Sequence, residues 1–314
     1  MTHRLTLTEV ENAYHTIDSV FLNTPQYECE QLSEILGCQL VLKVETMNPI
    51  RSFKGRGADW LLHQSTAPHL ICASAGNFGQ AIAYSCRKKR VKCTVYASNH
   101  ANPLKVERMR GFGAEVILFG DDFDTAKQEA KRVAKEKNIR FVEDSNDIET
   151  LEGAGTMALE LLRLHQPLDA LLIPLGNGAM LNGIARVMKE RNPLTRIMAV
   201  QAAGAPAMIE SWRQEKIVIH EKTNTIADGI AVRMPVPQAL IDMQGLVDDA
   251  YLVKEEAILR AMKILHTEAG VVSEPSGAVG IAAILENQSV FAGKRIGAII
   301  CGSNLTEEQI KNWL

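Results

Sequence analysis

Short apolar runs alternate with longer helical patterns along most of this 314-residue chain. Residues 39–45, 69–74 and 91–97 have the length and the apolar content of strands, and residues 77–90 have the pattern of a helix. Alternation of this kind is typical of an α/β fold with mostly parallel sheets. Because such folds bind ligands at the carboxyl ends of their strands, the pattern also indicates where a functional site would lie.

The alternation continues to the end of the chain. We predict further strands at residues 115–119, 140–142, 169–174, 196–200 and 295–301, and further helices at residues 103–112, 122–138, 148–165, 179–191, 254–269 and 276–287. The length is enough for about two domains, and no repeat or Pro/Gly-rich linker separates them. We therefore expect two lobes packed closely around a shared cleft, where ligands commonly bind.

Composition excludes several classes of protein. The 34 Lys and Arg residues against 37 Asp and Glu give a net charge of −3, so we expect no nucleic-acid partner. No apolar stretch is long enough to span a membrane, and residues 1–11 do not have the pattern of a signal peptide. The six cysteines form no CxxC pair, which indicates free thiols in a reducing compartment. We expect a cytoplasmic protein.

Four turns of small residues follow predicted strands, at residues 74–77, 176–179, 227–229 and 301–304. The second turn also opens a predicted helix. Its backbone N–H groups and the helix dipole favour an anion such as phosphate, although a merely tight turn is an equally good interpretation. A dinucleotide is not expected. Leu181 stands where the third glycine of GxGxxG would be, and the next strand ends at Gln201 without a ribose-binding acid.

Lys54 lies between a predicted strand and a helix that begins near Gly55. A lysine at such a turn is usually exposed and unimportant. Here Phe53 and several small residues flank it, so the amine could be partly shielded from water. Shielding favours a neutral amine that can act as a Schiff-base nucleophile.

Taken together, these stretches resemble the fold-type-II pyridoxal-phosphate enzymes, specifically the serine/threonine dehydratase and serine racemase group. The segment SFKGRGA at residues 52–58 is similar to that family's lysine motif, and SAGN at 74–77 is similar to its asparagine loop. Residues 174–184 align without gaps to its phosphate-binding motif. Blocks at residues 225–229, 274–277 and 301–304 follow in the expected order, so the resemblance covers most of the chain.

The resemblance implies pyridoxal 5'-phosphate as cofactor and a role for each matching residue. Lys54 would hold the cofactor covalently and act in catalysis. The carboxylate loop, Ser74, Ala75, Gly76 and Asn77, would bind the substrate carboxylate, with Asn77 also near the ring 3-oxygen. The phosphate cradle would consist of Gly176, Asn177, Gly178, Ala179 and Met180. Phe53, Gly229 and Glu274 would complete the cofactor site, and Cys301 would lie beside the pyridine nitrogen as a weak, neutral partner.

The resemblance also implies a domain organisation. A small domain would span residues 52–144, and a large cofactor-binding domain would combine residues 1–51 with 145–314. Only ten residues follow Asn304, so we expect no C-terminal regulatory domain. A homodimer is expected.

Some residues depart from the family pattern. Asn177, Ala179 and Met180 replace residues of the cradle, but backbone donors survive these changes. Arg51 stands where glycine is usual, and it could contact an acidic substrate or the phosphate, or simply face solvent. Phe78 replaces a common histidine, which leaves the substrate range open.

The activity implied is dehydration and deamination of L-threonine or L-serine to a 2-oxo acid and ammonia. Alternatives are a serine racemase, a dehydratase for another hydroxy amino acid such as 3-hydroxyaspartate, a β-replacement synthase and a non-enzymatic cofactor-holding protein. Ala75 stands where racemases of this group have a serine, which favours elimination. No carboxylate lies within residues 201–207, so we expect no divalent metal there. A monovalent cation stays possible.

Overall fold

The computed structural model describes residues 3–314, in which ten strands form two sheets. The strands are β1 (Gln26–Glu28), β2 (Gln39–Val44), β3 (His69–Ala73), β4 (Lys92–Ala97), β5 (Glu115–Leu118), β6 (Arg140–Val142), β7 (Ala170–Pro174), β8 (Arg196–Ala202), β9 (Asp249–Val253) and β10 (Arg295–Ile300). One sheet has the order β5-β4-β3-β6 and the other the order β1-β2-β10-β7-β8-β9. All pairs are parallel except β1 with β2.

Helices cover the faces of both sheets. They are α1 (Leu7–Thr16), α2 (Glu30–Leu36), α3 (Lys54–Gln64), α4 (Asn77–Lys89), α5 (Pro103–Gly111), α6 (Phe123–Glu136), α7 (Ile148–Leu161), α8 (Ala179–Arg191), α9 (Ala207–Gln214), α10 (Pro237–Met243), α11 (Glu255–Ala269), α12 (Pro275–Glu286), α13 (Gln288–Phe291) and α14 (Glu307–Trp313). Short 3-10 helices lie at Ser19–Phe21 and Asp228–Ile230.

The four-stranded sheet is built from consecutive strand–helix units, which explains its parallel order. Helix α6 shows how the sequence specifies the packing. Its apolar residues recur at helical spacing, so Ala126, Ala130 and Val133 are buried on one face. That face packs against Ile71 and Tyr96 of the sheet.

The six-stranded sheet joins distant parts of the chain. Strand β10 lies between β2 and β7, with Arg295 opposite Gln39 and Ile296 opposite Ala170. Strand β7 is buried along its whole length, which is typical of a parallel sheet covered on both faces. The carboxyl ends of β7 and β10 consequently lie side by side.

The structure confirms the predicted α/β architecture and most predicted elements. Arg140–Val142 and Ala179–Arg191 have the predicted bounds, and the other predicted elements differ by a few residues at their ends. The helix predicted over residues 148–165 ends earlier, at Leu161. The boundaries of the two domains stay a prediction.

One predicted turn is wrong. Residues 227–229 do not follow a strand; they lead into the 3-10 helix Asp228–Ile230. The preceding segment is held by individual bonds instead of a strand ladder: the N–H of Asn224 donates to the carbonyl of Gly204, and that of Ile226 donates to Glu255. The segment therefore reaches the cleft as a loop.

Candidate functional site

A cleft of about 650 Å³ lies between the two sheets. Three strands end at it: β3 continues into the carboxylate loop, β7 into the phosphate cradle and β10 into Cys301. The cleft brings together every residue that the sequence predicted for the site: Phe53, Lys54, Ser74, Ala75, Gly76, Asn77, Gly176, Asn177, Gly178, Ala179, Met180, Gly229, Glu274 and Cys301. The residues predicted for the site therefore line one cleft, and their individual roles stay a prediction.

Lys54 is the first residue of α3, and its side chain is 17% exposed. The turn before it is ordered by Asn48, whose side-chain oxygen accepts hydrogen bonds from the N–H groups of Ile50 and Ser52. The Nζ atom of Lys54 lies 4.5 Å from the centre of the Phe53 ring and donates to Oδ2 of Asp144 at 2.6 Å. The amine thus has an apolar neighbour on one side and a carboxylate on the other.

A buried ion cluster, Lys43, Glu45, Arg56 and Glu160, anchors α3 through Arg56, two residues after Lys54. Arg56 is fully buried and donates to both Glu45 and Glu160. Burial opposes its charge, but the two carboxylates outweigh burial and raise the pKa of Arg56. Lys43 pairs with Glu160, yet burial lowers its pKa. Because each charge has a partner, the cluster can be buried without an unpaired ion.

The phosphate cradle lies at the N-terminus of α8. Gly178 has a φ of 101°, and a Cβ there would lie 3.1 Å from Nδ2 of Asn182 and 3.3 Å from Cβ of Ala239. Glycine is therefore the residue that this turn accepts. The N–H of Ala179 donates to Oγ of Ser145 at 3.0 Å, so the segment after β6 is bonded to this turn.

The carboxylate loop is held by side chains at both ends. Oγ of Ser74 accepts hydrogen bonds from the N–H groups of Gly76 and Gly79 at 3.1 and 2.9 Å. Asn77 donates to Oε1 of Glu274 at 2.7 Å and accepts from Asn304 at 2.8 Å. These bonds fix the orientation of the Asn77 amide.

Glu274 and Cys301 form the floor of the cleft. Glu274 is buried, and burial raises its pKa although the Lys105 charge opposes the shift. Its other oxygen accepts from the N–H of Asn304. Burial also raises the pKa of the Cys301 thiol, with Glu274 adding to the shift. Cys301 is therefore a neutral thiol at physiological pH.

Six residues at or beside the cleft were not predicted as site residues: Asp144, Lys105, Asp228, Asp124 and Arg233, which line it, and Ser145, which is hydrogen-bonded to Ala179. Nζ of Lys105 donates to Asp228 at 2.5 Å; burial opposes its charge, but Glu274 and Asp228 outweigh burial and raise its pKa. Arg233 pairs with Asp124 across the mouth of the cleft. The sequence did contain an indication of Asp144 and Ser145. They come just after the predicted strand at residues 140–142, and residues 74–77, 176–179 and 301–304 of the site likewise come just after predicted strands.

Of the residues that depart from the family pattern, Phe78 lies in the cleft and Arg51 lies outside it. Phe78 is buried and lines the cleft, next to the carboxylate loop. Arg51 is exposed and is not among the residues that line the cleft. Of the roles considered for Arg51, the structure favours the one in which it faces solvent.

Comparison with known proteins identifies the family. A model of the pyridoxal-phosphate dependent enzymes matches residues 17–302. The chain belongs to this family. It is 33% identical over 310 residues to an L-threonine ammonia-lyase from Thermotoga maritima, a match that covers 98% of this chain and 77% of the relative.

Solved structures agree with this family of pyridoxal-phosphate dependent enzymes. A T.th. threonine deaminase has a TM-score of 0.91 and 28% identity, with 96% of this chain and 99% of that chain covered. A maize serine racemase has the same score and identity, with 97% and 95% covered. The predicted family, fold, cofactor and class of lyase are confirmed.

The cleft residues fit the cofactor of this family. The glycine turn at the N-terminus of α8 has a φ of 101° at Gly178, which other residues rarely adopt, and it offers backbone donors to an anion. Lys54, which carries the amine, lines the same cleft. A phosphate site and an amine in one cleft are the two features that pyridoxal phosphate needs.

The described part of the chain, residues 3–314, contains neither a metal-binding cluster nor a membrane-spanning helix. Among residues 3–314, no three His, Cys, Asp or Glu side chains are grouped so that they could hold a metal ion. Across the same residues, none of the helices is both long and apolar enough to cross a membrane.

Proposed function

We propose that this protein is a threonine/serine ammonia-lyase that converts a β-hydroxy amino acid to a 2-oxo acid and ammonia. The observation that carries the proposal is the meeting of the Lys54 amine, the carboxylate loop and the phosphate cradle in one cleft. The likeness to the L-threonine ammonia-lyase and the threonine deaminase supports the substrate class.

The cleft residues divide between cofactor and substrate. Lys54 would hold the cofactor covalently, the phosphate cradle and Ser145 would bind its phosphate, and Cys301 would face its pyridine nitrogen. Phe53, Asn77, Gly229 and Glu274 would complete the cofactor site. The bound cofactor supplies an electron sink for the α-carbon of the substrate.

Lys54 is the proposed general base. When substrate binds, the freed amine takes the proton from the α-carbon. The carboxylate loop holds the substrate carboxylate through its N–H groups, which keeps the α-carbon within reach of Nζ. The β-hydroxyl would then leave, and the cofactor phosphate, which the phosphate cradle would hold, would supply its proton. Water converts the released enamine, through its imine, to the 2-oxo acid and ammonia.

Cys301 suits elimination. A buried neutral thiol does not hold a proton on the pyridine nitrogen as a carboxylate would. A weaker electron sink is sufficient when the departing hydroxyl removes the negative charge at once. The thiol therefore supports elimination over reactions that must hold a long-lived carbanion.

Racemisation is the second candidate, because a serine racemase has the same fold. It needs an acid on the face of the substrate opposite the lysine. The residue at that point of the loop is Ala75, whose methyl group cannot transfer a proton. Ser74 is the nearest hydroxyl in the loop, but its oxygen already accepts two backbone hydrogen bonds that hold the turn. These contacts favour elimination.

The decisive experiment is a screen of hydroxy amino acids with the purified holoenzyme. L-Threonine should yield 2-oxobutanoate and L-serine pyruvate, each with one equivalent of ammonia. 3-Hydroxyaspartate belongs in the same screen, because the sequence leaves that alternative open. Tight cofactor binding without 2-oxo acid from any substrate would instead favour a non-enzymatic cofactor-holding protein.

The same proposal includes the setting of the enzyme. We expect a homodimer in the cytoplasm, acting on small-molecule amino acids without a divalent metal. Light scattering on a size-exclusion column measures the oligomer, and activity after treatment with a chelator measures the need for a metal.

A further inference from the structure

Asp144 lies directly against the lysine of the site. Its Oδ2 accepts a hydrogen bond from Nζ of Lys54 at 2.6 Å, and each side chain is 17% exposed. Its other oxygen, Oδ1, is buried and finds no hydrogen-bond partner within residues 3–314. The lysine is therefore the one polar contact of this carboxylate in the described part of the chain.

The loop that carries Asp144 is held on both sides. Before it, Glu143 binds Lys131 at 2.7 Å. After it, the N–H of Ser145 donates to Oγ1 of Thr150, and the carbonyl of Ser145 accepts from Arg4. These contacts keep the carboxylate at a fixed place between the lysine and the phosphate cradle.

We propose that Asp144 is a positioning residue that holds Lys54 while its amine is free of the cofactor. The inference rests on the proposed function, in which Lys54 takes the α-proton. In that step the C–H bond of the substrate breaks, its electron pair stays on carbon, and a new N–H bond makes Lys54 an ammonium ion. Asp144 accepts a hydrogen bond from that ammonium.

The geometry supports this role over a purely structural one. The pair joins two groups that line the cleft, and no other hydrogen bond within residues 3–314 ties the Asp144 carboxylate to the fold. Without Asp144, the described contact left to the amine is the face of the Phe53 ring. The freed lysine would then sample more orientations, and fewer of them would point at the α-carbon.

The first measurement isolates proton transfer from elimination. L-Alanine has no leaving group, so exchange of its α-proton for deuterium reports the lysine step alone. A charge-assisted hydrogen bond of this kind is expected to change the exchange rate by about 10- to 100-fold. Asp144→Asn should therefore exchange more slowly than wild type with little change in KM, and Asp144→Glu, which keeps the charge, should exchange faster than Asp144→Asn.

The second measurement does not need a working holoenzyme. In the apoprotein, trace acylation followed by peptide mass spectrometry measures how reactive each lysine is. Lys54 should be labelled faster in Asp144→Asn than in wild type, because the amine loses its charge-assisted hydrogen bond to the carboxylate and is freer to meet the reagent. Asp248→Asn is the matched control, since it breaks a Lys–Asp pair of similar length outside the cleft, and it should leave both measurements unchanged.

Several results would overturn the proposal. They are equal exchange rates in wild type and Asp144→Asn, equal rates in the Asn and Glu variants, and unchanged labelling of Lys54 in the Asn variant. Failure of the proposed function is recognised separately. If wild type forms no 2-oxo acid from L-threonine or L-serine while exchange and labelling follow the expected pattern, the role of Asp144 stands and the elimination activity does not.

Discussion

At the scale of single residues, the position of the Lys54 side chain is determined by the residues that contact it. The Asn48 side chain orders the turn before it, the Phe53 ring covers one side of the amine and Asp144 binds it. Lys105 is also buried at the cleft, and each of the two lysines pairs with an aspartate, Lys105 with Asp228 and Lys54 with Asp144. The side chain of Lys105 is 3% exposed against 17% for Lys54, so the amine of Lys54 is the more accessible of the two to a cofactor in the cleft.

We therefore predict that the cofactor is linked to Lys54. Reduction of the holoenzyme with borohydride makes the link permanent, and peptide mapping then identifies the modified lysine. The label should lie on Lys54 and be absent from a Lys54→Arg variant. A label on Lys105 would contradict the assignment of the site.

Ala75 gives a prediction about stereochemistry. Ala75→Ser should introduce detectable conversion of L-serine to D-serine, because a hydroxyl would then face the substrate from the side opposite Lys54. Pyruvate formation should fall at the same time. Chiral chromatography alongside a pyruvate assay measures both products, and Ala73→Ser, at the end of β3 before the carboxylate loop, serves as control. Appreciable D-serine from the wild type would rule out this explanation of the loop.

Single residues also show how far the sequence alone could go. Lys54, the carboxylate loop and the phosphate cradle were predicted because short motifs with fixed spacing mark them. Lys105, Asp228 and Arg233 were not, because each gains its meaning from a partner more than a hundred residues away, on the opposite side of the cleft. No local sequence pattern indicates such a distant partner.

At the scale of elements, the close approach of α3 and α7 fixes where Lys54 enters the cleft. A Cβ on Gly57 would lie 2.8 Å from Cα of Thr150, and a Cβ on Gly153 would lie 2.5 Å from Cα of Gly57. The two helices therefore touch through their backbones. Any side chain at these positions must push α3, and Lys54 with it, away from its place.

Gly153→Ala tests this contact. We expect it to destabilise the protein by about 1–3 kcal/mol through overpacking and to weaken cofactor binding as α3 shifts. Urea unfolding and a cofactor titration measure the two effects. Gly111→Ala is the matched control: a Cβ there meets nothing within 4 Å, so it should be neutral or slightly stabilising. Equal stability of the two variants would contradict the helix contact.

The buried ion cluster links β2, α3 and α7, and it makes stability depend on pH. Burial works to raise the pKa of Glu160, but Arg56 and Lys43 outweigh burial and hold it below its ordinary value. A carboxyl with a lowered pKa in the folded state stabilises the fold above its unfolded pKa. That contribution is lost as the pH falls through the folded pKa.

Glu160→Gln should therefore cost about 3–5 kcal/mol at pH 7, since it leaves Arg56 and Lys43 with one carboxylate between them. The difference from wild type should shrink as the pH falls below 4.5, the ordinary value for Glu. Urea unfolding at several pH values measures it. Glu190→Gln, which breaks an exposed pair with Arg186, should change the free energy of unfolding by less than about 1 kcal/mol. A pH-independent difference for Glu160→Gln would refute the charge-based account.

Some helices and strands could be predicted from the sequence and others could not. Long periodic helices such as α6 and α8, and buried strands such as β7, were found from their apolar spacing. The short helices α9 and α10 and the strand β9 were not predicted, because their patterns extend over too few residues. The segment before Asp228 was wrongly predicted because its backbone N–H groups bond to Gly204 and Glu255, which are distant from it in sequence.

At the scale of the whole molecule, charged pairs connect the two sides of the cleft. Lys105 follows the four-stranded sheet's β4, and its partner Asp228 lies in the loop between β8 and β9 of the other sheet. Arg233, in the same loop, pairs with Asp124 at the start of α6. Substrate must enter between these two sides. We therefore expect the charged pairs to affect how the cleft closes over bound substrate.

The Arg233 pair leads to the last prediction. Nε of Arg233 donates to Asp124 at 2.9 Å, and the two side chains are 30% and 18% exposed. A partly exposed pair contributes up to about 1 kcal/mol, or roughly fivefold in an equilibrium constant. If the pair holds the cleft closed around bound substrate, Arg233→Gln should raise KM by up to about this factor and change kcat less.

Salt provides an independent measurement of the same pair. The KM of the wild type should rise with ionic strength, since salt screens a partly exposed pair, whereas the KM of Arg233→Gln should change less. Reversing the charges in Arg233→Asp with Asp124→Arg should recover part of the lost affinity, because attraction across the mouth is restored. Arg132→Gln removes an exposed arginine from the same helix as Asp124 but outside the cleft, and it should leave KM unchanged. If Arg233→Gln had the KM and the salt dependence of the wild type, the pair would not control closure.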